Sequence, residues 1–596
     1  MMGRRAPGGQ NALGLVRYGA PAASVCDRSV LRSRAKVTFE PEECRLTHEL
    51  RMRAAAALVR VLRDRGVRFA FGVPGESFLG LLDAFHDVPE ITLVATRHEG
   101  GAAFMADAAG KLTGQPAICM GTRAVGAANL AIGIHTAHQD STPLIALVGH
   151  VETPFRYREA LQETDLAGFL GHITKWAVEA PAAPELPRLA HEAYRRSVTG
   201  RPGPVAIALR GDMLDEDIEA DLPSPTAQPV AAPPRTAVRE ALRLLQSASR
   251  PLIIAGGGVL RGGGTVELVA LAERTGTPVM SAFRRLDVFP NDHPLYLGTL
   301  SFGMPDVSFE YARSADVVLA IGTRLGELTT RGYTVPSAGA ALIHVDISPE
   351  EAGHSFPARL AIAADARVTL ALLNEEAADI AWPDRTRANA ELRARFERET
   401  TPPTAPTVPE LVDPAVVMAE LGKQLPPQAI VTTDAGNYFS WVARYLRFRR
   451  PGTFLGPTSG AMGYAVPAAV AAALVRENSV PVVALAGDGG FLMTGSELAV
   501  AAQLGLSLAV IVFDNALYGT IRHHQEREYP GRISGTELWS PDFVRYVEAF
   551  GGLGIRVERN EDVADALRQV LAHPGIALLS VAVARRAIAV GQFLPE

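Results

Sequence analysis

The chain reads as an α/β protein of three doubly wound parallel-sheet domains. Two observations predict this. Short apolar runs bounded by glycine and small polar residues alternate with helical patterns along most of the sequence, as strand–helix–strand units do. Two proline-rich spans then divide the alternation into three blocks, residues 51–221, 236–380 and 412–590. A length of 596 residues suits about three to four domains of ordinary size.

Taken in order, residues 1–50 stand apart. Residues 1–25 carry Arg4, Arg5 and Arg17, no acidic residue and no apolar core suited to a secretory signal. The segment reads as an organellar transit-type extension or as an over-extended start, with the ordered pattern beginning near Met52. Residues 54–65 (AAAALVRVLRDR) predict a helix with Leu58, Val61 and Leu62 on its apolar face. Alternation continues to a strand at 205–209 (VAIAL), and residues 222–235 (LPSPTAQPVAAPPR) form an extended linker. The second block opens with a helix at 236–247, holds strands at 251–255 and 316–321, and ends near Leu373. The second break, 382–414, contains a charged helix-like piece and then Pro402, Pro403, Pro406 and Pro409. The third block follows, with no short-period repeat anywhere.

Composition is that of an ordinary soluble α/β protein, 47% hydrophobic and 20% charged. A net charge of −6 without a long basic block gives no reason to expect nucleic acid as a partner. No apolar run reaches the roughly 18 residues of a membrane span. Cys26, Cys44 and Cys119 lack metal-like spacing and point to a reducing compartment, hence a cytoplasmic location.

The most informative stretch lies in the third block. Residues 480–486 (VPVVALA) predict a buried strand ending at Gly487, Asp488, Gly489 and Gly490. A helix is expected over 494–504, and a second buried strand over 506–513 ends at Asp514 and Asn515, followed by Leu517, Tyr518 and Gly519. Such a unit forms a parallel pair with a right-handed crossover, so both polar clusters fall at the carboxyl ends of adjacent strands, where open α/β sheets bind ligands. Mg²⁺ takes octahedral oxygen ligands, few of them from protein and several from phosphate. Asp488 offers a carboxylate, Asn515 an amide oxygen and Leu517 a backbone carbonyl. Gly487, Gly489 and Gly490 carry no Cβ, so a diphosphate can approach the backbone. The following helix aims its N-terminus at the anion. An ordinary Asp-Gly turn is the alternative.

This stretch resembles the diphosphate-binding motif of thiamine-diphosphate (ThDP) enzymes, a GDG followed at this spacing by a paired Asn. The first Asn of the pair is Asp514 here; the metal-ligating second position is Asn515. The order of the three blocks resembles that family as well: pyrimidine-binding, central and diphosphate-binding domains. The resemblance implies ThDP and Mg²⁺ as cofactors. It also implies a carboxylic acid bonded to the cofactor's pyrimidine nitrogen, which drives the imino tautomer that takes the proton from carbon 2 of the thiazolium ring. Glu99, in 97–103 (RHEGGAA), matches the family's catalytic glutamate; a capping carboxylate at a helix N-terminus is the alternative. Residues 457–467 (PTSGAMGYAVP) match the segment beneath the cofactor's bend, with Gly460 in the turn and Met462 at the wedge position, or in simple core packing. In this fold the glutamate and the diphosphate site come from different chains, which implies a homodimer or tetramer with ThDP at the interface.

The nearest resemblance is to acetolactate synthase catalytic subunits. Residues 71–75 (FGVPG), 160–163 (ALQE), 175–176 (KW) and 200–205 (GRPGPV) carry it. Gln162 and Lys175 match a substrate-channel region and can orient a 2-oxo acid; a solvated surface is the alternative. Four departures stand out. The family's Gly-Pro-Gly-Ala turn is 124–127 (AVGA), a Gln is His150, a substrate-selecting Trp is His524, and 434–437 (DAGN) replaces the usual entry to the third domain. His524 puts a titratable group where a flat wall stood, unless it lies with His523 on an exposed turn. The resemblance also implies a non-redox flavin dinucleotide (FAD) in the central domain. There 253–258 (IIAGGG), including Gly257, forms a glycine turn without the full GxGxxG, and Arg324, Asp346 and Asp365 sit at the family's contact positions. The expected activity is decarboxylation of a pyruvate-like 2-oxo acid with carboligation to a second carbonyl. The alternative is a 2-oxo acid decarboxylase or carbon–carbon-cleaving relative without carboligation. Whether a small regulatory subunit joins is left open by the sequence. A non-catalytic paralogue or a nicotinamide dehydrogenase fits less well, given Glu99, Asp488 and Asn515 together.

Overall fold

The computed structural model describes residues 50–594 apart from 226, 228 and 409. The expectations for residues 1–49, with Cys26 and Cys44, lie outside the described residues. Three six-stranded sheets, parallel throughout, organise the chain. The first runs in space as Thr92–Ala95, Phe69–Gly72, Ala117–Thr122, Leu144–His150, Pro204–Arg210 and Trp176–Glu179. Its central strands are buried along nearly their whole length, as strands covered by helices on both faces must be. The strand Leu50–Arg53 pairs antiparallel with Asp217–Ala220, tying the two ends of this unit together. The second sheet runs Tyr296–Thr299, Val279–Ser281, Pro251–Ala255, Val317–Ile321, Ala341–Asp346 and Leu360–Ala363. The third runs Phe454–Leu455, Ile430–Thr433, Val482–Gly487, Leu508–Asp514, Ile576–Ala582 and Leu553–Val557. The first and third share one strand order and the second has the other common doubly wound order, so each has a crevice where the order reverses.

Two elements differ from the sequence expectation. The helix after the GDG begins at Asp488 itself (Asp488–Thr494), breaks into a tight turn at Gly495–Glu497 and resumes as Leu498–Gln503. The charged piece in the second break is a full helix, Thr386–Thr400, whose Phe396 is buried in the core of the central sheet. One large apolar anchor among charged neighbours escapes a reading based on periodicity. The first and third sheets are joined by the helices Glu99–Thr113 and Ala465–Val475, which share one hydrophobic core. Most of their buried positions are Ala, with Gly in the first helix as well, which lets their backbones approach closely. A Cβ at Gly133, on the helix Arg123–Asp140, would lie 2.3 Å from the Cβ of Ala103, so a third helix packs there just as tightly.

Candidate active site

The strands Val482–Gly487 and Leu508–Asp514 are neighbours, and Gly487 is in register with Phe513. Asp488 and Asn515 therefore come together at the carboxyl edge. Asp488 is buried; its Oδ1 accepts from Gly489 N at 2.8 Å, and its Oδ2 has no partner. Burial raises its pKa to about 6, helped by the nearby Asp514. Asn515 Oδ1 accepts from Leu517 N at 3.2 Å. Asp514 is turned away, accepting from Ser540 Oγ at 2.6 Å and from Arg556 at 3.3 Å. Bonds from Tyr518 N to Thr536 O and from Leu538 N to Ala516 O pin the turn that carries Leu517. Among the described residues no group of three or more His, Cys, Asp or Glu could hold a metal alone. A cation here needs other oxygens, as Mg²⁺ with a diphosphate supplies. The orphaned carboxylate oxygen beside an amide oxygen fits that donor set.

The three glycines sit in different surroundings, and packing within the protein accounts for two of them. A Cβ at Gly489 would lie 2.6 Å from the Tyr518 ring and one at Gly490 2.3 Å from Asp434 Oδ2. Both are excluded by protein packing. Only at Gly487 would a Cβ be uncrowded, meeting Tyr438 at 4.0 Å. Gly460 takes φ +72° with open space where a Cβ would stand, and Met462 is half-buried. Asp434, at the end of the strand next to Val482–Gly487, grips this segment by accepting from Ala465 N at 2.7 Å. Asn437 was not anticipated as a site residue. Its Oδ1 accepts from Thr520 Oγ1, its Nδ2 has no partner, and a Cβ at Gly519 would lie 3.2 Å from that Nδ2. The signal was its place just past a strand end at the crevice.

Glu99 opens the helix Glu99–Thr113 but does not cap it. The cap acceptor is His98 Nδ1, bonded by Gly100 N at 2.9 Å. Glu99 Oε2 instead accepts from Asn129 Nδ2 at 2.9 Å, and Oε1 lies 3.4 Å from where a Cβ on Gly126 would be. Asn129 and Gly126 both belong to Arg123–Asp140, and the backbone of its first turn bonds Gln162: Ala124 N to Gln162 O, 3.2 Å. Gln162 has φ +60° and a buried Oε1 without a partner. His150 is fully buried at the end of its strand, and neither ring nitrogen has a hydrogen-bond partner. Burial, then Arg156, lowers its pKa to about 4. Glu179 and Glu163 hold Arg156 at 2.7 and 2.8 Å, and Glu163 accepts from Tyr157 N, so this ion-pair chain shapes the loop that ends at Gln162.

Two expected substrate residues do not join this group within the chain. Lys175 precedes Trp176–Glu179, at the amino edge of the sheet, opposite His150. Its Nζ donates to Arg196 O and Thr199 O at 2.6 and 2.8 Å, and burial lowers its pKa to about 8. His524 is exposed on the helix Gly519–Glu528, not on a turn, and pairs with Arg527 at 2.9 Å.

A cavity of about 850 Å³ opens at the crevice of the central sheet, where the strand Pro251–Ala255 meets Val317–Ile321. Gly257, Arg324, Asp346 and Asp365 all line it, with Arg201, Arg261 and Arg285. Asp346 is buried and accepts from Ser348 N; Asp365 caps the next helix through Val368 N. Burial and the neighbouring Arg285 lower the Arg261 pKa to about 10. Crowded guanidinium groups of this kind favour an anion such as a diphosphate.

Comparison with known proteins bears on the whole chain. Residues 52–169 match the N-terminal TPP binding domain of thiamine pyrophosphate enzymes, 238–373 the central domain, and 434–581 the C-terminal TPP binding domain. The acetolactate synthase large subunit of Corynebacterium glutamicum is 32% identical over 87% of this chain and 84% of its own. A probable acetolactate synthase large subunit of Methanocaldococcus jannaschii is 33% identical over 87% and 90%. The acetolactate synthase isozyme 2 large subunit of Escherichia coli is 30% identical over 89% and 96%.

Proposed function

The chain belongs to the thiamine pyrophosphate enzymes, and from that premise we propose that it decarboxylates a pyruvate-like 2-oxo acid and joins the two-carbon product to a second carbonyl compound. The observation that carries the reading is the buried Asp488 carboxylate, with one oxygen unpartnered beside Asn515, in a chain similar along its length to acetolactate synthase large subunits. Bound ThDP supplies a nucleophilic carbon and an acceptor for the electrons released with CO₂.

The chain's own residues do the rest. Asp488, Asn515 and the Leu517 carbonyl hold Mg²⁺, while Asn437 Nδ2 and the backbone at Gly487, near Tyr518 and Gly519, meet the diphosphate. Gly460 and Met462 support the bend. Glu99 holds the proton at the pyrimidine nitrogen, and Asn129 orients it. Gln162 turns an unpaired amide oxygen toward substrate, and His150 sits behind that loop. Lys175 and His524 are not brought to this group within one chain. The acid and the metal motif lie in different domains, which suits a site shared by two chains. Exposed Leu492, Met493 and Trp539 near the diphosphate cluster, and Val125 and Ile132 near Glu99, are apolar surface that a homodimer would cover. The central cavity is proposed to hold FAD, its cationic lining meeting the diphosphate. A yellow purified protein supports this and a colourless one refutes it.

The deciding experiment is carbon-13 NMR of the protein with ThDP, Mg²⁺ and labelled pyruvate. Acetolactate is the expected product. Acetaldehyde and CO₂ without it would refute carboligation and leave a simple decarboxylase.

A further inference from the structure

Glu497 closes the turn Gly495–Glu497, directly after the helix that begins at Asp488. It is fully buried, and it accepts hydrogen bonds from residues some 400 positions away in sequence. Its Oε1 accepts from His98 N at 2.9 Å and Arg97 N at 3.2 Å, and its Oε2 also accepts from Arg97 N at 3.2 Å. Those amides immediately precede Glu99. They lie between the strand Thr92–Ala95 and the helix Glu99–Thr113, where a backbone N–H finds no partner in either element's regular bonding. The fit is tight: a Cβ at Gly101 would lie 2.4 Å from Glu497 Oε1 and 2.7 Å from its Cδ. A buried carboxylate is costly unless something uses its charge.

We propose that Glu497 is a positioning residue for the reaction, its ionised carboxylate gripping the Arg97 and His98 amides so that the next residue, Glu99, is held in one place. This rests on the catalytic reading of Glu99. Both partners are donors, so only the ionised form offers acceptors to each without bringing a proton of its own. Burial raises the Glu497 pKa to about 7, so the grip loosens as pH falls through neutrality. The charged and titratable groups that face it are Arg97 and His98. The helix Ala465–Val475, packed on its turn, carries none, and none other lies between 489 and 503. Arg97 directs its guanidinium to Gln503 Oε1 and Ala95 O, leaving its amide for Glu497.

The test uses the full chain loaded with ThDP and Mg²⁺. Exchange of the cofactor's carbon-2 proton into D₂O is followed by quench and NMR between pH 6 and 8, in wild type, Glu99→Gln, Glu497→Gln and Glu497→Asp. Glu497→Gln is expected to exchange about 10–100-fold more slowly, the loss a small misplacement of a catalytic group brings. It should also lose the wild-type fall toward acid pH, keep its ThDP affinity, and melt no lower than wild type at pH 8, because a buried charge is gone. Glu497→Asp, charged but one methylene shorter, should be slower with the acid limb kept, and serves if the Gln variant does not fold. Wild-type rate and pH profile in the Glu497 variants, with Glu99→Gln impaired, would overturn the proposal. Wild-type exchange in Glu99→Gln would instead remove the catalytic reading on which it rests.

Discussion

Replacing Gly490 with alanine puts a Cβ 2.3 Å from Asp434 Oδ2 and 3.2 Å from its Cγ. The oxygen intrudes by about 1 Å on ordinary carbon–oxygen contact. Asp434 cannot easily yield, since it is buried and holds Ala465 N at 2.7 Å. Overpacking of this kind costs about 1–3 kcal/mol. Alanine in place of glycine inside a helix returns up to about 1 kcal/mol. A net loss of about 1–2 kcal/mol is therefore expected in the protein without cofactor, and the shift of Asp434 should loosen the segment of Met462. Gly487→Ala is the contrast. Its Cβ meets only Tyr438 at 4.0 Å and its φ is −81°, so stability should stay within about 0.5 kcal/mol while ThDP binding weakens. Denaturant unfolding of the cofactor-free variants and ThDP titration read both quantities. Unchanged stability in Gly490→Ala would refute the packing argument. Wild-type ThDP affinity in Gly487→Ala would refute the placement of the diphosphate at this backbone.

Other outcomes follow from the same geometry. Glu99→Gln keeps an oxygen for Asn129 and should leave thermal unfolding unchanged while steady-state turnover falls about 10²–10⁴-fold, the usual weight of a general acid or base. Asp488→Ala removes a carboxylate whose Oδ2 has no protein partner; Mg²⁺-dependent retention of ThDP on gel filtration should vanish with the fold intact by circular dichroism. Asn437→Ala should weaken ThDP binding by about 1–3 kcal/mol, the worth of a hydrogen bond to a charged group; unchanged binding in a calorimeter would exclude it from the site. His150 has its pKa lowered to about 4 by burial, whereas unfolded histidine takes its proton near 6.5. The unfolded chain thus binds more protons in this window. The contribution is fully present above pH 6.5 and is lost, by about 3 kcal/mol in all, as pH falls toward 4. His150→Gln should flatten that loss in acid unfolding curves, and an unaltered acid limb would exclude His150 as its source.

Much of the architecture was legible because it is written in local patterns. The strand Pro251–Ala255, the helix Ala54–Asp64 and the strand Pro204–Arg210 follow from periodicity and from glycine and proline punctuation. The pairing of Asp488 with Asn515 was legible too, since two strand ends joined by one crossover are forced to be neighbours. The helix Thr386–Thr400 was less so. Its polar length hides Phe396, and nothing nearby says which core receives that ring.

The amino-acid sequence by itself determined the three doubly wound units, the family, and the chemistry available at Glu99, Asp488 and Asn515, because each depends on residues close in the chain or one crossover apart. The tertiary structure alone decided which glycine has open space where a Cβ would stand and which is crowded by Asp434 or Tyr518. It moved Lys175 to the opposite edge of its sheet and His524 to the surface. It also brought Asn437 against Gly519, Glu497 against the amides before Glu99, and four arginines around one cavity. The direction of a polar atom and the partner it finds hundreds of residues away are set by packing between domains, and that packing leaves no periodic trace in the chain.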